Sequence, residues 1–188
     1  VSGKNIVYFD LETQRSGGDV GGFSNKAKMG VSIAVTYSTA RGTYEIYGES
    51  EMDRLGEELI KADLVVGWNH IQFDYPVLQP YIFHTLADQT VNLDMMLDLE
   101  IKLGFRLKLD SVASASLGTG KTADGLDALR WWQEHKKSGD FAPLRKIAEY
   151  CAYDVKVTKC VHEYALEHGL LKYDDKNGGI AEIAVDWK

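Results

Sequence analysis

With 188 residues, 45% of them hydrophobic and 26% charged, the chain is long enough to bury a substantial core and short enough to form a single domain, 1–188. Its formal net charge of −7 argues against a uniformly polyanion-binding surface. No apolar run approaches the roughly 18 residues of a membrane span, and no signal-peptide hydrophobic region precedes the first expected strand, so neither a membrane partner nor a secretory route is expected.

The run Ile6-Val7-Tyr8-Phe9 is β-branched and aromatic and predicts a buried strand near 5–10. Side chains two apart on a strand share a face, so Asp10 and Glu12 project together. Like charges so close are tolerable mainly where a cation lies between them; Asp-x-Glu by itself is equally consistent with an acidic turn. Arg15 through Gly30 holds five glycines and no sustained periodicity. A loop of that length is expected to be a mobile flap rooted beside Thr13, with Lys26 and Lys28 reaching phosphates and Phe23 packing on a base, or else an insertion without substrate contact.

Strands near 31–37 and 43–48 complete an antiparallel meander, followed by a helix at 51–62 and a strand at 64–67. That strand delivers Asn69 to a turn, after which Phe73-Asp74-Tyr75-Pro76 opens a helix near 74–84 with proline in its first turn. Asp74 could be no more than a charge favoured by the helix dipole, but that leaves the Asn69-x-x-x-Phe73-Asp74 frame without a reason. Helices are expected near 94–103, 110–117 and 124–137.

The longest helical pattern spans 142–168, where Leu144, Ile147, Ala148, Cys151, Val155, Thr158 and Val161 recur at helical spacing. Tyr150 and Asp154, four apart, share one of its faces. A hairpin with a glycine turn is expected near 171–187. The pattern as a whole predicts an α/β domain of three layers around a mixed sheet.

Three frames in this order, Asp10-x-Glu12, Asn69-x-x-x-Phe73-Asp74 and Tyr150-x-x-x-Asp154, resemble the 3′–5′ exonucleases of the ribonuclease H-like superfamily, in the tyrosine-bearing DEDDy subclass. The sister subclass carries a histidine five residues before the last aspartate, where this chain has Glu149. Leu107 through Gly118 is similar to the helix after the second motif in the proofreading domain of family B DNA polymerases, and the likeness extends to stand-alone bacterial relatives.

The resemblance implies a ribonuclease H-like fold and a metal-dependent 3′–5′ exonuclease acting on the 3′ end of single-stranded DNA or RNA. Asp10, Glu12, Asp74 and Asp154 would hold two Mg²⁺ or Mn²⁺ ions, and Tyr150 would position the attacking water. Thr13, Asn69 and Phe73 would help seat the terminal nucleotide. Two alternatives stand beside it: a non-catalytic module on the same fold, docking a helicase or polymerase, and a metal-dependent endonuclease or small phosphodiesterase. A monomer is expected.

Charge is unevenly spread. Residues 101–160 hold eleven basic and seven acidic residues, and Arg106, Lys108, Lys121 and Arg130 are the expected phosphate-facing set. Gly118-Thr119-Gly120-Lys121-Thr122 lacks the preceding strand of a P-loop. The five histidines show no zinc or nucleophile spacing, and Trp131-Trp132 is read as core packing before base stacking. Cys151 and Cys160 lie nine apart on one helix and cannot bridge; their pattern fits a reducing, cytoplasmic setting.

Overall fold

A computed structural model describes residues 3–119, 125–175 and 177–187. Its centre is a five-stranded mixed sheet of β1 (Ile6–Thr13), β2 (Val31–Ser38), β3 (Thr43–Gly48), β4 (Leu64–Gly67) and β5 (Asn92–Asp94). The strand order is β3-β2-β1-β4-β5. β1 pairs antiparallel with β2 and parallel with β4, so it is the strand at which the sheet changes polarity. The meander is as expected; β1 runs on through Thr13, which places Asp10 and Glu12 within a strand instead of in a turn after it.

Strict alternation on β1 explains the layers. Val7, Phe9 and Leu11 face one core together with Met52, Leu55 and Leu59 of α1 (Met52–Lys61) and Val77 and Leu78 of α2 (Asp74–Leu78). The same core takes Leu86 from α3 (Leu86–Gln89). Tyr8 faces the other core, which is built by α4 (Met95–Leu103), α5 (Leu109–Leu117), α6 (Gly125–Ser138) and α7 (Ala142–His168). Each fully buried aliphatic or aromatic side chain contributes about 1.5–3 kcal/mol, so two such layers hold the sheet from both sides. Ile147, Cys151, Val155 and Val161 form the inward stripe of α7, at the helical spacing the sequence carries.

α7 ends at Gly169, whose φ of 69° is the left-handed cap that glycine adopts without strain. The hairpin follows as β6 (Leu170–Asp174) and β7 (Ile180–Ala184), which form a separate two-stranded sheet with Leu171 in the α4–α7 core. Four elements depart from the sequence reading. The expected 74–84 helix stops at Leu78 and continues only as a 3-10 turn, Gln79–Tyr81; Pro80 lacks the N–H that a longer helix would need. β5 and α3, of three and four residues, are too short to show a period in the sequence. Residues Phe23–Lys28 form 3-10 turns inside what reads as an irregular loop.

Candidate metal centre

Asp10 and Glu12 occupy the same face of β1 as Tyr8, the face that α7 crosses. Contact is direct: Cys151 Sγ lies 3.4 Å from the Asp10 carbonyl oxygen and 3.5 Å from its Oδ2. One helical turn on from Tyr150, Asp154 comes to the same place. Ligand atoms of Asp10, Glu12 and Asp154 all lie within 4.8 Å of one another, although the third is 142 residues or more from the first two. Oxygens on opposite sides of one Mg²⁺ stand about 4.2 Å apart. Separations of no more than 4.8 Å are therefore compatible with a shared hard cation. The Tyr150 hydroxyl is hydrogen-bonded to Asp154.

Asp74 arrives from the other side of β1. β4 pairs with β1 only from Ile6 to Tyr8 and ends at Gly67, which leaves the β1 edge open beyond that point. The loop after β4 fills the opening, and Asp74 Oδ1 accepts a hydrogen bond from Leu11 N at 3.2 Å. Asp74 is 3% exposed, so it is not a solvated helix-terminal charge.

The loop that carries it is tightly wound. Asn69 has φ of 65°, a left-handed conformation that costs a non-glycine residue about 1 kcal/mol. Phe73 N donates to Asn69 O at 2.9 Å, and Tyr75 N to His70 O at 2.9 Å. Beneath the loop lies a buried polar layer absent from the sequence reading. Asp94 accepts from Asn69 N and Ile71 N, His70 Nε2 meets Asn92 Oδ1 at 3.1 Å, and the Tyr75 hydroxyl donates to Asn92 Oδ1 at 2.6 Å. His70 fits because Gly67 has no side chain: a Cβ there would stand 2.6 Å from His70 Nδ1. These partners lie far apart in sequence, so spacing gives no sign of them.

Crowded anions shift one another's protonation. Burial first, and then the charges of Asp74, Asp154 and Glu12, push the Asp10 carboxyl well above its usual range. Burial, Asp154 and Asp74 do the same to Glu12. Asp74 is pushed up to about 7, chiefly by burial. Burial and then Asp154, Glu12 and Asp10 raise the Tyr150 hydroxyl, so it stays protonated at neutral pH and can serve as a donor. Burial and the neighbouring carboxylates likewise hold Cys151 as a thiol. His162, buried against the Tyr8 hydroxyl at 2.9 Å, is pushed down to about 4 by burial and is a neutral core histidine.

Asp10, Glu12 and Asp74 open into a cleft of about 320 Å³ that also includes Thr13, Arg15, Phe23, Trp68, Asn69 and Phe73. A second cleft of about 460 Å³ adjoins it through Trp68, Asn69 and Gly125, and extends past Tyr150 and Asp154 to Arg106 and Lys108. Thr13, Asn69, Phe73 and Phe23 thus lie at the acids, Phe23 with 66% of its surface exposed.

Lys26 is placed differently from its expected role: its Nζ donates to Gln72 O at 2.6 Å and ties the 3-10 segment to the loop before Asp74. Lys28 is exposed and lines neither cleft; its carbonyl accepts from Arg15 Nε. The segment from 15 to 30 is closed by Gln14 N to Gly30 O and Arg15 N to Met29 O, which prolong the β1–β2 ladder.

Of the basic set, Arg106 pairs with Glu100 and donates to Gln72 Oε1 at 2.5 Å, and Arg130 pairs with Asp127. Lys121 lies outside the described residues, as does most of the Gly118–Thr122 run. Trp131 and Trp132 both pack against the α4–α7 core.

A family profile of the RNase H superfamily matches residues 7–166. Among solved structures, the family B DNA polymerase of the hyperthermophilic archaeon Pyrobaculum calidifontis is similar in fold, with a TM-score of 0.59 and 18% identity over 87% of this chain. The chain spans about a quarter of that polymerase, 25% of its length. No curated protein matches in sequence.

Proposed function

The chain belongs to the RNase H superfamily, and from that premise we propose that it is a metal-dependent 3′–5′ exonuclease that hydrolyses terminal phosphodiesters of single-stranded nucleic acid. The observation that carries the reading is the meeting of Asp10, Glu12 and Asp154, with Asp74 against Leu11, where two adjoining clefts come together. Among the described residues, no lysine or arginine forms an ion pair with Asp10, Glu12 or Asp74. Buried carboxylates left in that state favour a bound cation.

The four acids would hold two divalent ions, Mg²⁺ or Mn²⁺, whose chemistry when bound is to activate water and to stabilise charge on the leaving oxygen. The chain's own groups supply the rest. Tyr150, kept protonated, donates a hydrogen bond and orients water beside Asp154; it is an orienter and not the base. The Cys151 thiol and the Leu11 N–H fix the rotamers of Asp10 and Asp74. Phe23 and Phe73 offer apolar surface for a terminal base, with Asn69 and Thr13 beside them. The acid-lined cleft is of small-molecule size, which favours a chain end over an internal bond.

End-labelled single-stranded oligonucleotides with Mn²⁺ test the reading, DNA and RNA in parallel. Stepwise release of mononucleotides from the 3′ end supports it. Internal cuts would make the protein an endonuclease, and binding without turnover would leave a docking module for a polymerase or helicase. In the proposed role the protein acts as a monomer in the cytoplasm.

A further inference from the structure

We propose that Asp94 is a positioning residue for the metal centre: it sets where Asp74 stands relative to Asp10 and Glu12 without itself reaching the cleft. Asp94 is 5% exposed and lines neither cleft. Its carboxylate accepts three backbone hydrogen bonds. Asn69 N reaches Oδ1 at 2.8 Å, Ile71 N reaches Oδ2 at 3.0 Å, and Leu97 N reaches Oδ1 at 3.2 Å. The last is an ordinary helix cap for α4. The first two are not needed by α4 at all.

Those two bonds act at the point of greatest strain. Asn69 is the only non-glycine residue at positive φ among the described residues, and a conformation of that kind persists where its surroundings over-determine it. Asp94 grips the N–H of Asn69 itself and, with its other oxygen, the N–H two residues on. From the gripped turn, Phe73 N to Asn69 O and Tyr75 N to His70 O lead directly into α2, whose first residue is Asp74. Asp74 then takes the N–H of Leu11, the residue between Asp10 and Glu12. A short path of hydrogen bonds and one stretch of backbone thus joins Asp94 to β1 at the acids. His70 Nδ1 stands 3.7 Å from Asp94 Oδ2, beyond hydrogen-bond reach, so the grip rests on the carboxylate.

The inference rests on the metal-centre reading and predicts a specific separation of effects. Asp94→Asn keeps one carbonyl acceptor and loses the second. Asp94→Ser keeps a good cap for α4 but has one short oxygen that cannot serve both Asn69 and Ile71. Both variants are expected to melt cooperatively. Outer-shell partners of metal ligands typically govern affinity or activity by roughly 10–100-fold. The Mn²⁺ concentration that half-maximally raises the melting temperature should therefore increase about tenfold or more, and kcat should fall by about 10–100-fold while KM for an oligonucleotide changes little.

A folded variant with the wild-type Mn²⁺ midpoint and wild-type kcat overturns the proposal. So does failure of both variants to fold, since Asp94 would then be a structural residue. If the wild-type protein binds Mn²⁺ but cleaves nothing, the nuclease reading fails and the shift in midpoint still decides the role of Asp94. If Mn²⁺ does not stabilise the wild-type protein, the metal centre falls and Asp94 loses this role with it.

Discussion

Two carboxylate-rich regions of the molecule are built on opposite rules. Around Glu58, on α1, every charge is answered. Arg41 Nη2 lies at 2.5 Å, Thr36 Oγ1 at 3.2 Å, and the Tyr47 hydroxyl donates to the same carboxylate, while Arg41 and Arg54 both pair with Glu45. Around Asp10 the neighbours are other acids, and burial together with their repulsion raises both Asp10 and Glu12. A network of the first kind stabilises a fold. The second kind costs stability unless a cation offsets the repulsion.

The largest expected effect tests this contrast at the acids. Asp10→Ala or Asp154→Ala should lower nuclease turnover by about a thousandfold or more, a loss of ~4 kcal/mol of transition-state stabilisation. The metal-free melting temperature should stay level or rise, because a repelling anion has been removed. A large fall in either variant would show that the carboxylate is structural after all.

Tyr150→Phe should lower kcat by about 100-fold, with Mn²⁺ affinity measured by calorimetry nearly unchanged. Loss of an ion in that variant would make Tyr150 part of the metal's support instead of an orienter of water.

The opposite response is expected at the other region. Glu58→Ala leaves the buried Tyr47 hydroxyl without its acceptor and Arg41 without its closest partner, at a cost of about 2–3 kcal/mol. Melting should fall by roughly 4–12 °C, with kcat per folded molecule unchanged. If activity fell in step with stability, the two regions would not be separable.

The finest-grained test is of pH dependence. Asp74 is pushed from its ordinary 3.8 up to about 7. A raised carboxyl contributes stability that is fully present below its unfolded value and is lost as pH rises through its folded value. Metal-free protein should therefore lose stability between about pH 4 and pH 7, and Asp74→Asn should flatten that decline. Mn²⁺ affinity should strengthen across the same window, because the ion must displace protons. Equal slopes for the two proteins in metal-free melting would contradict the protonation of Asp74.

Local periodicity made most of the fold legible. The residues of β2 alternate apolar with small or hydroxyl types, α7 carries its apolar stripe for 27 residues, and β4 is an apolar run cut off by glycine. The acids stood out for a different reason: their three frames together resemble those of a known family, and the structure brings ligand atoms of Asp10, Glu12 and Asp154 within 4.8 Å of one another. What escaped was held by distant partners. β5 is three residues with Asn92 and Asp94 among them, too short and polar to show a pattern. Its value lies in bonds to His70, Asn69 and Ile71, 22 to 25 residues away. Lys26 read as a phosphate ligand because a free lysine in a glycine-rich segment has no visible partner; its partner is a backbone carbonyl 46 residues on.

The double pairing of β1 carries one more consequence. Because side chains alternate, a slip of one residue would turn Asp10 and Glu12 into the α1 layer and bring Phe9 and Leu11 to the floor of the cleft. Such a slip would have to break an antiparallel ladder on one side and a parallel one on the other at the same moment. Misregistered molecules with both β1 acids turned away are thereby excluded from the low-lying states of the chain. If the protein has the proposed activity, its loss on heating should track unfolding seen by melting and not a decline in turnover per folded molecule.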